Sequence, residues 1–270
     1  MRWRVFGQAN ANPPLVLVHG GHGNWLHWVH NIEMLARDRQ VLVPDLPGFG
    51  ESDELQSDDA VIAGLAAAFT ASLEALLGGT PMIDLAGFSL GAIVSAHSAV
   101  RRGAVRKLAL LGCPASETPR RPKAKMIRWH HLHEDEAAQN AALRHNLLAH
   151  MMYADSNVDA LAFRAYTDGI KATKLSTHGA AHGTPLKDVL RPYTAPVLLL
   201  YGEHDVICTP ELAKAGLENA AAGREARVIP GGGHWIQCER ADAVNAALTR
   251  WFGDAIETTG AQAPSPAMAT

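Results

Sequence analysis

Apolar residues along the chain fall into short, nearly continuous runs, separated by longer stretches with helical spacing. Leu15-Val16-Leu17-Val18, Val41-Leu42-Val43, Met82 to Ala86, Lys107 to Leu111 and Val197-Leu198-Leu199-Leu200-Tyr201 are of strand length. They have almost no polar side to offer water, as expected of strands buried on both faces of a parallel sheet. Trp3 to Phe6 and Arg227-Val228-Ile229 read as shorter strands. Helices are predicted between them. Residues 25–37 carry Trp25, Trp28, Ile32 and Leu35 along one face, and residues 58–77 carry Val61, Leu65, Ala68, Phe69, Leu73 and Leu76 before Gly78-Gly79 stops them. Further helices are expected after Ser89, around 210–221 and at about 241–252. Strand and helix in alternation predict an α/β fold, with a mostly parallel central sheet and helices on both faces.

The rhythm breaks between 114 and 191, where no strand-like run occurs and helical patterning covers roughly 125–152 and 157–172. So long a segment is unsuited to a structureless loop, so a helical insertion is expected there. The predicted organisation is therefore a core of residues 1–113 and 192–255, a helical cap of residues 114–191, and a small, polar, Pro-containing tail, 256–270, expected to be disordered.

Composition narrows the class. A chain of 270 residues with 47% apolar content suits one large domain, and a formal net charge of −3 without a basic block argues against a nucleic-acid partner. The first residues, MRWRVFGQANANPP, lack the apolar run of a signal peptide, and no stretch reaches membrane-spanning length. Cys113, Cys208 and Cys238 cannot all pair and form no C-x-x-C. A reduced, cytoplasmic protein without a membrane partner is expected; a homodimer stays open.

The chemistry centres on Gly87-Phe88-Ser89-Leu90-Gly91, a G-x-S-x-G between a predicted strand and a predicted helix. Such a turn strains the central residue and holds its hydroxyl above the sheet at a helix N-terminus. A serine becomes a nucleophile only when a base takes its proton and a third group orients that base. Asp205 follows the strand Val197–Tyr201, and His234 follows Arg227–Ile229 in a Gly-rich loop. All three thus sit beyond strand carboxyl ends, where open α/β sheets bind ligands. Glu203 is the alternative acid, with Asp205 preferred. Asp45, Ser52 and His19 are expected to tie loops together. The cap histidines (His130, His131, His133, His145, His150, His178 and His182) lack Cys or paired acidic partners on a shared face, so no metal and no cofactor is expected.

From about Arg4 to Phe252 the chain resembles the α/β-hydrolase superfamily. The matching pieces, in order, are His19-Gly20-Gly21, Asp45-Leu46-Pro47-Gly48-Phe49-Gly50-Glu51-Ser52, Gly87-Phe88-Ser89-Leu90-Gly91, Gly202-Glu203-His204-Asp205 and Gly233-His234-Trp235. The short N-terminus departs from the pattern by leaving little room for an opening antiparallel hairpin. The resemblance implies a catalytic triad of Ser89, Asp205 and His234, an oxyanion hole from the backbone N–H groups of Gly21 and Leu90, and a cap over the site. A substrate pocket is expected from His22, Trp25, Met151, Met152 and Trp235. Serine at position 89 points to hydrolysis of a small-molecule carboxylic ester, because relatives that displace halide or open epoxides carry Asp there. The alternative is a C–C bond hydrolase of the meta-cleavage type, which the stretch from Gly233 to Asp242 resembles; against it, Phe88 stands where those enzymes usually carry Asn. A non-catalytic binding protein on the same fold would normally lack a triad member, and none is missing.

Overall fold

The computed structural model describes residues 1–56, 60–113, 122–176, 185–208, 210–211 and 223–253. The opening of the expected cap, His178 and His182, most of the helix expected around 210–221 and the expected disordered tail lie outside the described residues.

In chain order the elements are β1 (Arg2–Phe6), β2 (Leu15–Val18), α1 (Val29–Leu35), β3 (Val41–Asp45), α2 (Val61–Leu77), β4 (Ile83–Phe88), α3 (Leu90–Arg102) and β5 (Val105–Leu111). Then come α4 (Glu136–His150), α5 (Ala160–Lys171), α6 (Leu186–Val189), β6 (Val197–Gly202), β7 (Arg224–Ile229), α7 (Ile236–Glu239) and α8 (Ala241–Gly253). The strands form one seven-stranded sheet in the order β1-β3-β2-β4-β5-β6-β7. Among the described residues only β1 runs antiparallel to its neighbour, pairing Arg2 with Asp45 and Phe6 with Val41. Residues 2–6 thus form one edge strand of the sheet.

The apolar runs divide between two cores by alternation. Val16, Leu42, Leu85, Leu108, Leu110, Leu199 and Tyr201 face α2, α3 and α6. Leu15, Leu17, Val41, Ala86, Leu111, Leu198 and Leu200 face α1, α8 and the inserted helices. Side chains one residue apart point to opposite faces of a strand, so a strand filling both cores needs apolar residues throughout. Chain order leaps from β3 across β2 to β4, so the loops after β2 and β4 diverge at their carboxyl ends. That is the crevice in which open α/β sheets bind ligands.

The insertion differs in detail from the expected cap. A 3₁₀ turn occupies Trp129–Leu132, and α4 starts only at Glu136, where the Asp135 side chain accepts the Ala138 amide. Leu143, Leu147, Met152, Ala165 and Tyr166 share the second core with the sheet. In the last stretch of residues 114–191, Leu186 and Leu190 pack with Tyr193 in the first core, beside α3. Far from the strands' carboxyl ends, buried Asp84 binds Arg39 at 2.7 Å and Arg106 at 2.5 Å, and both guanidinium groups also donate to the Phe252 carbonyl. This pins the end of α8 to β4. Among the described residues no helix is long and apolar enough to cross a membrane.

Candidate active site

Ser89 sits between β4 and α3 with φ 52° and ψ −116°, a conformation that L-residues rarely adopt. The turn is held by the Ser89 amide, which donates to the Leu111 carbonyl at 2.8 Å. Its glycines are required by crowding. A Cβ on Gly91 would lie 2.3 Å from the His19 carbonyl oxygen, and one on Gly87 would lie 2.3 Å from that of Gly91. Strain of this kind persists only where its surroundings enforce it.

Asp205 and His234 follow β6 and β7, which lie beyond β5 in the sheet. The Asp205 amide bonds the Gly202 carbonyl, and the His204 amide bonds that of Gly232, which brings the two loops together. His234 Nδ1 lies 2.9 Å from Asp205 Oδ2, and His234 Nε2 lies 2.9 Å from Ser89 Oγ. Asp205 also accepts from the Ile207 amide (2.8 Å), the Cys208 amide (3.2 Å) and the Cys208 thiol (3.1 Å). Burial works to raise the Asp205 carboxyl, but attraction to His234 and the bonds from His234, Cys208 and Ile207 outweigh it and hold the group below its ordinary value. An ionised Asp205 accepts a hydrogen bond from Nδ1–H, so Nε2 is left as the acceptor for the Ser89 hydroxyl. Glu203, the alternative acid, is exposed, and its carboxylate accepts the Gly231 amide.

The loop after β2 comes alongside because Val18 pairs with Gly87. His19 is braced within it, with Nδ1 2.7 Å from the Gly20 carbonyl and Nε2 accepting the Leu46 amide. Asp45 accepts the Trp25 and Glu51 amides, and Ser52 donates to the Asp45 carbonyl, so both tie loops as expected. Leu90 is the first residue of α3, where helix amides have no partner within the helix. Sequence patterning did not single out His27. It is buried, packs between Phe88 and Trp235, and accepts the Gly20 amide through Nδ1 at 3.1 Å.

A family model described as alpha/beta hydrolase fold matches residues 13–241. The chain belongs to that family. Among relatives of this α/β hydrolase is the dihydrolipoyllysine-residue acetyltransferase component of an acetoin cleaving system from Pseudomonas putida. It is 31% identical over 259 residues, which cover 92% of this chain and 65% of the relative. The chain thus spans less than two thirds of that protein's length. A 2-hydroxy-6-oxo-2,4-heptadienoate hydrolase from Pseudomonas putida is 34% identical over 106 residues, 38% of each chain. Among solved structures, a thermophilic esterase from Thermogutta terrifontis superposes with a TM-score of 0.69 at 25% identity, covering 93% of this chain and 92% of the other.

In this α/β hydrolase the residues expected to line a pocket have differing surroundings. Trp25 is claimed by the edge strand: its ring stacks on Phe6 at 6.0 Å, and Arg4 lies over it at 4.8 Å. Trp235 is fully buried, with its Nε1 donating to the His27 carbonyl at 3.0 Å, so it braces the core rather than offering a pocket wall. Met152 is likewise a core residue at 1% exposure. Met151 is half-buried, and its carbonyl accepts the Trp235 amide at 2.7 Å. His22 is exposed with φ 55°. The cap meets its loop at Gly169 of α5, where a Cβ would fall 2.8 Å from the Gly23 Cα.

Among the described residues, metal-type donor atoms gather at Asp205, Cys208 and His234, all within 4.8 Å of one another. In this hydrolase fold those atoms bond each other: Asp205 Oδ2 faces both His234 Nδ1 and Cys208 Sγ. Burial pushes the Cys208 thiol well above its ordinary value, aided by the Asp205 charge, so it stays a protonated donor.

Proposed function

We propose that the chain hydrolyses a carboxylic ester of small to medium apolar size through an acyl-enzyme on Ser89. The observation that carries this reading is the continuous chain of 2.9 Å contacts from Ser89 Oγ through His234 to Asp205. His234 Nε2 takes the Ser89 proton as Oγ attacks the ester carbonyl carbon, and the Leu90 and Gly21 amides receive the oxyanion. Collapse breaks the C–O bond, and the alcohol leaves with the proton from His234. Water then repeats the cycle: His234 takes its proton, hydroxide attacks the acyl carbon, and the acid departs as Oγ is reprotonated. Asp205 keeps the imidazole in the required tautomer and balances its charge while protonated. The full-length likeness to an esterase supports the ester as substrate. Half-buried Leu148, Phe163 and Ile170 on the inserted helices, with Met151 just after α4, support an apolar one.

C–C bond hydrolysis is the second reading, favoured by the partial likeness to the heptadienoate hydrolase. It is weakened by Phe88, a buried apolar residue packed 5.0 Å from the His234 ring, which offers no polar grip before the nucleophile.

The test is turnover of p-nitrophenyl esters of graded acyl length beside a meta-cleavage dienone. Short to medium esters should be cleaved, an organophosphonate should label Ser89, and Ser89→Ala should lose on the order of 10⁶ in kcat while staying folded. Faster turnover of the dienone than of any ester would transfer the assignment to the second reading. Labelling elsewhere would remove the acyl-enzyme.

A further inference from the structure

A buried carboxylate outside the triad lies beneath the loop that carries His234. Glu239 ends α7 and is 8% exposed. Its Oε2 accepts the amide of Gly233, the residue before His234, at 2.7 Å. The rest of the carboxylate is held by the turn that follows α4. Tyr153 donates its amide to both oxygens at 2.9 Å, and Oε1 accepts the Ala154 amide at 2.8 Å and Asn157 Nδ2 at 3.0 Å.

Taking a carboxylate out of water is costly, and here N–H donors from two separate parts of the chain offset that cost. The bonds form a bridge with the inserted turn at one end and the base loop at the other. Neighbouring bonds reinforce it: the Trp235 amide on the Met151 carbonyl, and the Gly232 carbonyl on the His204 amide. The backbone is therefore fixed on each side of His234.

We propose that Glu239 is a positioning residue for the base. By anchoring the Gly233 amide to the turn at 153–157 it sets the distance at which His234 presents Nε2 to Ser89. This rests on His234 serving as the base of Ser89. An amide cannot do the same work. Glutamine has one acceptor end, so either Gly233 or the inserted turn would face an NH₂ group in place of an oxygen.

Glu239→Gln tests the inference through two readouts that a merely structural role would not move. The first is the rate at which a fluorophosphonate labels Ser89. The second is the downfield proton resonance of the His234 Nδ1–H bonded to Asp205. Labelling should slow by about 10- to 100-fold, since displacements near 1 Å at a reacting group have effects of that order. The resonance should shift or disappear into exchange. A variant with a lower melting temperature but unchanged labelling and an unchanged resonance would overturn the proposal. The two readings fail separately. A wild-type protein that shows the resonance yet neither labels nor cleaves esters defeats the serine-hydrolase reading, while the effect of Glu239→Gln on the resonance still decides the role of Glu239. Should Glu239→Gln not fold, Asn157→Asp takes its place, setting a second carboxylate where an amide now donates. The same two changes are expected of it, and their absence would overturn the proposal.

Discussion

His27 can hold the Gly20 amide only while its Nδ1 carries no proton. Burial pushes His27 well below the ordinary histidine value, helped by the neighbouring His19, His234 and His22, and burial lowers His19 as well. Each therefore takes up a proton more readily in the unfolded chain. Their contribution to stability is full above the ordinary histidine value of about 6.5 and is lost as pH falls through and below it. Asp205, lowered in the fold, adds a further loss as pH drops below the ordinary carboxylate range. The melting temperature should thus fall between about pH 7 and pH 5. In His27→Gln, whose Oε1 can accept the Gly20 amide without titrating, the fall should be shallower. Equal slopes in thermal melts of the two proteins would show that His27 does not carry the effect. Ser89, Asp205 and His234 could be named from the sequence because they stand in motifs, and the fold brings their side chains into contact. His27 and Glu239 stand in no such motif: one is a histidine in a largely apolar helix-like stretch, the other an acid in a polar one, and only the folded backbone brings them their partners.

The elements that sequence predicted best are the strands buried on both faces, because continuous apolar runs leave no other arrangement. The helices of the insertion were predicted too long. The spacing over 125–152 is periodic, but Asp135 takes the Ala138 amide and so marks the start of α4. Trp25 has the spacing of a core position, yet Phe6 and Arg4 draw its ring to the edge strand. The clamp on α8 was equally invisible, since Arg39, Asp84 and Arg106 come from separate elements. Asp84→Ala would leave two guanidinium groups buried without their carboxylate. It should destabilise the fold by about 3–5 kcal/mol in a urea melt. Because Asp84 lies at the opposite end of β4 from Ser89, kcat of the folded protein should stay near wild type. A large fall in kcat with unchanged stability would contradict this separation.

For the whole molecule, the parallel register determines where the site forms. Strand pairing sets the carboxyl ends of β2, β4, β5 and β6 side by side, and the loops leaving them carry His19, Ser89, Gly112 and Asp205. Motif order therefore sufficed to name residues that the fold brings together at one end of the sheet. The wall contributed by the insertion could not be read the same way, because apolar spacing says that a side is covered but not by what. Met151 and Met152 show the difference. Met152→Arg, which sets a charge in the core, should lower the melting temperature and spare the kinetics of the surviving folded protein. Half-buried Met151→Arg should raise KM or lower kcat with little loss of stability. The opposite pattern in paired melts and ester kinetics would exchange the two assignments.

The ladder between β5 and β6 joins partners that the ribosome makes at different times. Leu108–Leu111 pairs with Val197–Leu200, and everything between them belongs to the inserted segment and its return. At ordinary rates of translation the apolar edge of β5 waits on the order of ten seconds for its neighbour. Throughout that interval it is an uncovered strand edge, of the kind that pairs with other nascent chains or is taken up by a chaperone. The same insertion that steadies the base in the finished protein therefore sets how long the half-built sheet is exposed during synthesis.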